Sequence, residues 1–265
     1  MLVNTAAIQL FMKHVLLSIM ICLGCCEAAF GETVVMGVSD WPPYVFAGSS
    51  DHGMATEIAA AAFAEEGYDL ILEFRPWARI EYEVKNGLIL GSVPWLRSEY
   101  REEFAYYSDR MFSSKQCVFY LKKDFPEGLI LNRVEGLRPY IVGVQNGNLS
   151  MRTLKKKGIF TDVSNDVETA FGKMFAGRFS LLIESIAVGI HTLQERYGQK
   201  LHEVGLVLLH KEAADDYAIF SKKFPNSNHY HDAFNRGLKA IKENGVYDTI
   251  IQKYQTVQGF HSEVY

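Results

Sequence analysis

Twice along the chain, short apolar runs rich in β-branched residues alternate with longer stretches of helical spacing. Residues 33–38 form the first such run, Ala-rich residues 54–66 place Ile58 and Phe63 on one helix face before Gly67, and residues 69–74 form a second strand. Pro76 suits the first position of a helix that runs to Gly87, and residues 88–93 make a third strand that Pro94, lacking an N–H, is expected to end. The order begins again downstream: residues 140–144 read as a strand and residues 149–157 as a helix capped by Asn148 or Ser150. Residues 160–163 and 179–183 are strands on either side of a helix at 167–176 capped by Asp166, and a helix to Tyr197 and a strand at 204–209 follow. Strands alternating with helices predict an α/β protein of doubly wound sheets. Two such units follow one another at roughly 100-residue spacing, without obvious sequence identity. Residues 216–221 are extended and suit a return crossing, and helices at 231–244 and 246–255 close the chain.

Ligands of open α/β sheets sit beyond the carboxyl ends of strands, so the residues there are the first candidates for a site. After the third strand come Trp95, Arg97 and Arg101, a ring and two guanidinium groups suited to an anionic or zwitterionic small molecule. Arginines among Glu99, Glu102 and Glu103 also fit a solvated surface. After the first strand, Pro42 and Pro43 forbid helix, are expected to hold the loop stiff and extended, and present Trp41 and Tyr44; Tyr44 is the better ligand candidate of the two. In the second unit, the free N–H groups of the helix beginning near Asn148 suit an anion, and the strand ending at Ile183 delivers Glu184 and Ser185.

Net charge −4 and a pI near 6.1 offer no basic stripe, so no nucleic-acid partner is expected. Lys13 and His14 precede an apolar run at 15–23, shorter than the ~20 residues that span a bilayer. The run fits a secretory signal, with Ala29 and Gly31 placing cleavage before Glu32 and Met12 a second possible start. Leu23-Gly24-Cys25-Cys26 is a poor relative of a lipoprotein box, and acylation of Cys25 or Cys26 is the alternative to cleavage before Glu32. Only Cys117 lies beyond this segment, so no internal disulfide is expected and the thiol reads as buried and inert. No cofactor motif and no Ser-His-Asp or metal-ligand spacing is found. His229 to Asp232 lacks further ligands and reads as a solvated loop before a helix.

Several segments, in order, resemble the bacterial extracellular solute-binding proteins of the polar amino-acid type, family 3. They are Trp41-Pro42-Pro43-Tyr44, Pro94 with Arg101 seven residues later, Tyr107-Ser108, the run from Val142 to Gly147, Gly177-Arg178, the run from Tyr217 to Lys222, and Gly245 through Tyr254. The resemblance covers essentially the whole mature chain. It implies the type II periplasmic-binding-protein fold, two lobes joined by two crossing strands and closing on a ligand in the cleft. The implied division is a signal peptide at 1–31, lobe 1 at 32–116, lobe 2 at 117–216 and a return to lobe 1 at 217–265.

It further implies that Arg101 forks a ligand α-carboxylate and that Tyr44 walls the site from lobe 1. The turn Asn146-Gly147-Asn148, with Ser150, would offer a helix N-terminus, and Glu184 or Ser185 would meet an α-ammonium. This chain departs from the pattern at Leu96, where a Thr or Ser often assists the arginine, and at Leu90, Ser180, Asn148 and Leu149. Trp41, Trp77 and Trp95, with Arg79 and Arg97 nearby, would suit an aromatic, cationic or larger ligand instead. The expected role is that of a monomeric periplasmic protein, not an enzyme and without a cofactor, that captures a small polar solute for the permease of an ABC importer. The alternatives are a cyclohexadienyl-dehydratase-like enzyme, with Glu184 as its acid, and a ligand-binding subunit for a membrane sensor.

Overall fold

The computed structural model of the protein describes residues 32–48, 52–210 and 213–257, with side chains through Tyr254. The signal sequence, its cleavage site and the Cys25 or Cys26 lipid attachment lie outside the described residues.

The first lobe is built from β1 (Glu32–Val38), α1 (Met54–Glu65), β2 (Tyr68–Phe74), α2 (Trp77–Asn86), β3 (Gly91–Leu96), the single turn α3 (Glu99–Glu102), β4 (Ala105–Tyr107) and β5 (Phe112–Ser114). The second contains β6 (Gln116–Leu121), β7 (Val142–Gln145), α4 (Leu149–Lys156), β8 (Thr161–Ser164), α5 (Val167–Phe175), β9 (Leu181–Ser185), α6 (Ile186–Tyr197) and β10 (Val204–Leu208). The chain then returns through β11 (Ala214–Ser221), α7 (Ser227–Glu243) and α8 (Val246–Val257). The strand order is β2-β1-β3-β11-β4 in the first sheet, with β5 also on β11, and β10-β6-β9-β7-β8 in the second. This is the expected mixed α/β architecture. β1 and β3 are parallel, as are β7 with β8 and β7 with β9, while β6, β10 and β11 run antiparallel to their neighbours.

The two passages between sheets lie side by side, since Ser114 on β5 pairs with Ala214 on β11. Gln116 already belongs to the second sheet and residues 214–216 to the first, which puts both passages slightly earlier than the sequence expectation. The first core gathers around Phe63, whose ring meets those of Phe220 and Phe234, all fully buried. The second packs Val118, Val142, Val144, Leu181 and Ile183 against Leu137 and Leu154. Cys117 is fully buried, and burial, with the Glu184 charge nearby, pushes its thiol pKa well up, as an inert thiol requires.

Four local expectations are corrected. Pro94 lies inside β3 rather than ending a strand at 88–93. Register with β11 slips between the Tyr217–Trp95 and Ile219–Ser92 pairs, so the proline sits in a bulge, and the backbone of Ala218 bonds Ser108 instead. The prolines at 42 and 43 do not hold an extended loop. The chain folds back there, with Tyr44 N–H and Val45 N–H both donating to the Trp41 carbonyl. Pro76 is the N-cap of α2, one position before that expected. His229 to Asp232 is part of helix α7, with His229 bonded to Tyr68 Oη and His231 to Asp232 and the Tyr107 carbonyl.

Candidate functional site

A cavity of about 60 Å³ lies between the two lobes. The first sheet's side supplies Trp41, Trp77, Pro94, Trp95, Leu96, Arg101 and Asp216, and the second lobe supplies Gln116, Gln145, Gly147, Asn148 and Leu149. The volume holds a few waters or a small organic molecule. The rings pack edge to face, Trp77 at 6.3 Å from Trp41 and 5.1 Å from Trp95, which fixes a rigid aromatic wall. A neighbouring chamber of about 290 Å³ is lined by Arg97, Ser150, Thr153, His210, Asp215 and Tyr217 among others, and Leu96, Gln116 and Leu149 border both.

Arg101 is the best-held side chain of the site, 3% exposed. Its Nε donates to Glu81 Oε2, its Nη1 to the Leu96 carbonyl and its Nη2 to the Gly147 carbonyl, each at 3.0 Å. The guanidinium also lies 4.4 Å from the Trp95 ring centre. The Gly147 bond crosses between lobes, so the arginine and the turn do converge, and the group that the turn presents to the arginine is a carbonyl. Gly147 has φ +88°, and a Cβ there would stand 2.7 Å from Trp77 Cβ. Only glycine allows both the turn and this approach. Asn148 caps α4 by accepting from Ser150 N–H at 2.8 Å.

Glu81 is the residue that sequence reasoning missed most plainly. Its second oxygen accepts from Arg152 of the second lobe, and Arg152 covers the Tyr100 ring at 3.6 Å. Another interlobe bond runs from Trp41 Nε1 to Glu184 Oε1 at 3.1 Å. Glu184 is fully buried, accepts also from the Ser185 N–H, and leaves Oε2 without a partner among the described residues. Burial pushes its pKa up to about 7 against those two hydrogen bonds. Asp216, 1% exposed, is likewise pushed up to about 7 by burial, opposed by the Ser114 hydroxyl and reinforced by Asp215. Its Oδ2 has no partner at hydrogen-bonding geometry among the described residues, and neither has Trp95 Nε1.

Of the expected residues, Trp41, Trp77, Trp95, Arg101, Gly147 and Asn148 line the cavity. Arg97 and Ser150 face the neighbouring chamber, and Arg97 is exposed and paired with Glu102. Arg79 is paired with Glu83. Tyr44 sits behind Trp41, stacked on Phe112 at 5.1 Å and 1% exposed, so the wall expected of it falls to Trp41. Asn146 lines neither cavity and its N–H goes to the Ser164 carbonyl; Ser185 is fully buried beside Glu184. Gln145 ends a strand, where ligand residues are sought, and Asp216 is an acid in an extended apolar segment; both carried a signal. Glu81 carried none, since nothing local links it to Arg101.

Among the described residues, no cluster of three or more His, Cys, Asp or Glu is placed to hold a metal, and no helix is long and apolar enough to cross a membrane.

Comparison with solved structures finds the same fold at low identity. A histidine kinase sensor domain with similarity to periplasmic binding proteins matches with TM-score 0.73 and 17% identity over 85% of this chain and 96% of its own. An ancestral arginine-binding protein bound to arginine matches with TM-score 0.69 and 20% identity over 85% and 99%. A substrate-binding protein of an ABC uptake transporter from Streptococcus pneumoniae with bound histidine matches with TM-score 0.70 and 16% identity over 84% and 92%. At these identities the likeness establishes the fold alone. Comparison with curated protein sequences gave no match. The sequence profile of one family matches residues 34–257, and the chain therefore belongs to the bacterial extracellular solute-binding proteins, family 3.

Proposed function

We propose that the protein captures a small polar solute, an amino acid or similar molecule, between its lobes outside the cytoplasm and presents it to an ABC importer. The observation that carries this reading is the cavity itself, lined from both lobes by three tryptophans and by polar groups. Closure by rotation about β5 and β11 would bring Gly147 against Trp77 and Arg101, so a solute held there stabilises the closed form by contacts that an open form lacks. Because the three tryptophans line the cavity, their fluorescence reports occupancy directly.

The test is a titration of refolded, solute-free protein with a library of amino acids, small peptides and amines, followed by fluorescence and calorimetry. A saturable response, together with a smaller radius of gyration in small-angle scattering, is expected. Silence across the library removes the reading. Delivery to a sensor is the second reading, favoured by the likeness to the histidine kinase sensor domain. A neighbouring gene for a kinase or cyclase would support sensing, and permease and ATPase genes would support import. Incubation with prephenate or arogenate checks the dehydratase alternative, and formation of phenylpyruvate or phenylalanine would replace binding by catalysis.

A further inference from the structure

We infer that the solute of this cleft is a small organic cation without a carboxylate, because the protein already places a carboxylate of its own, Glu81, on Arg101. The inference rests on the reading of the cavity as a solute site and specifies the chemistry of what enters it.

Of its five N–H groups, Arg101 commits one each to Glu81, the Leu96 carbonyl and the Gly147 carbonyl, and one of its faces lies on Trp95. Its charge is balanced by Glu81. The other cation on Glu81, Arg152, has a side chain 44% exposed and does not line the cavity. Among the described residues that line the buried space, then, no cation is left over to receive a ligand carboxylate.

Two acids are left over. Asp216 lines the cavity and Glu184 stands behind Trp41, and each keeps one oxygen without a partner among the described residues. A carboxylated solute would bring a third acid into this space and lose its hydration for no new counter-charge. An ammonium would supply the missing counter-charge to Asp216 in a cavity lined by three indoles, whose ring faces attract cations. The unpartnered Trp95 N–H takes a neutral oxygen, such as a hydroxyl, without altering that count. The groups facing the acids act in both directions: the Asp215 charge opposes ionisation of Asp216 and the Ser114 hydroxyl favours it, while the Ser185 amide and Trp41 favour a Glu184 anion, and none of these groups carries a positive charge.

The experiment compares each amine with the amino acid that differs from it by one carboxylate, ethylammonium against alanine and putrescine against ornithine. Tryptophan fluorescence and calorimetry are recorded at about pH 8, above the values of about 7 at which the buried acids ionise. The amine is expected to bind about tenfold or more tightly than its partner. Asp216→Asn should weaken the amine by a similar factor while leaving the amino acid unaffected. Glu81→Gln should release Arg101 and narrow or reverse the preference. Tighter binding of the carboxylated partner to the wild-type protein, lost in Arg101→Ala, overturns the inference and leaves the cleft a solute site. A preference unchanged in Glu81→Gln overturns the role given to Glu81. If no solute of any class perturbs the tryptophans, the reading of the cleft falls first and the inference with it.

Discussion

Glu81 and Glu83 stand two residues apart on α2, are about equally buried, and each accept hydrogen bonds from two arginines, yet they do different work. At about 100° per residue, positions i and i+2 face nearly opposite sides of a helix. Glu83 turns toward Arg75 and Arg79 within the first lobe and staples the helix to its own body. Glu81 turns toward Arg101 and, across the cleft, Arg152. One carboxylate therefore ties a helix to its own lobe, and its near neighbour ties two arginines of different lobes together, the arrangement on which the inferred solute choice rests. Burial and charge alone do not separate a structural ion pair from a functional one; the body to which the partner belongs does.

Removing Arg101 should break this comparison most severely. Arg101→Ala leaves Glu81 with the half-exposed Arg152 and strips the Leu96 and Gly147 carbonyls of a donor, at a cost of about 3–5 kcal/mol, the range for breaking a buried pair. Thermal melting should register the loss, and small-angle scattering a particle that no longer contracts with solute. A variant as stable and as closed as the wild type would show that the pair does not hold the lobes.

pH should come next, with opposite signs at the two kinds of acid. Glu184 and Asp216 bind protons more tightly in the folded chain, at about 7 against ordinary values of 4.5 and 3.8, so the solute-free protein should lose stability as pH rises from about 4.5 to about 7. Burial raises the Glu83 pKa, but hydrogen bonds from Arg79 and Arg75 outweigh it and leave the group below its ordinary value. Its contribution is present above about pH 4.5 and disappears as pH falls through the folded value. Melting temperature followed from pH 3.5 to 8 should thus peak on the acid side of neutrality, and a steady rise toward pH 8 would contradict the state assigned to the buried acids.

Glu83→Ala should cost less, about 1–2 kcal/mol, because Arg75 and Arg79 reach solvent, with side chains 23% and 65% exposed. Scattering with and without solute should match that of the wild type, and a change would erase the distinction between the two glutamates. Arg152→Ala should have the smallest effect, about 0.5 kcal/mol for a half-exposed partner in chemical denaturation.

Much of the scaffold was legible along the chain. The helix begun by Asp166, the cap at Asn148 and the stops at Gly67, Gly87 and Gly245 are settled within a few residues of each position, and all are found where expected. Pro94 was misread for a nonlocal reason. Whether a strand tolerates a proline depends on what its neighbour demands, and here the bulge against β11 demands no N–H at that point. Tyr44 was misread likewise: the turn at Pro42 and Pro43 carries Trp41 to the cavity and leaves Tyr44 against Phe112.

By itself, the sequence determined the alternation of strands and helices, the two sheets that follow from it, and the aromatic and arginine residues available to a cleft. Only the tertiary structure decided that Glu81 meets Arg101, that Asp216 arrives on a strand more than a hundred residues later to face the same space, and that Gly147 closes against Trp77. Periodicity and capping are energies of neighbours in the chain. The charge balance of a buried cavity is instead a sum over whatever the fold brings together, and that sum is fixed by packing between lobes and not by any single stretch of residues.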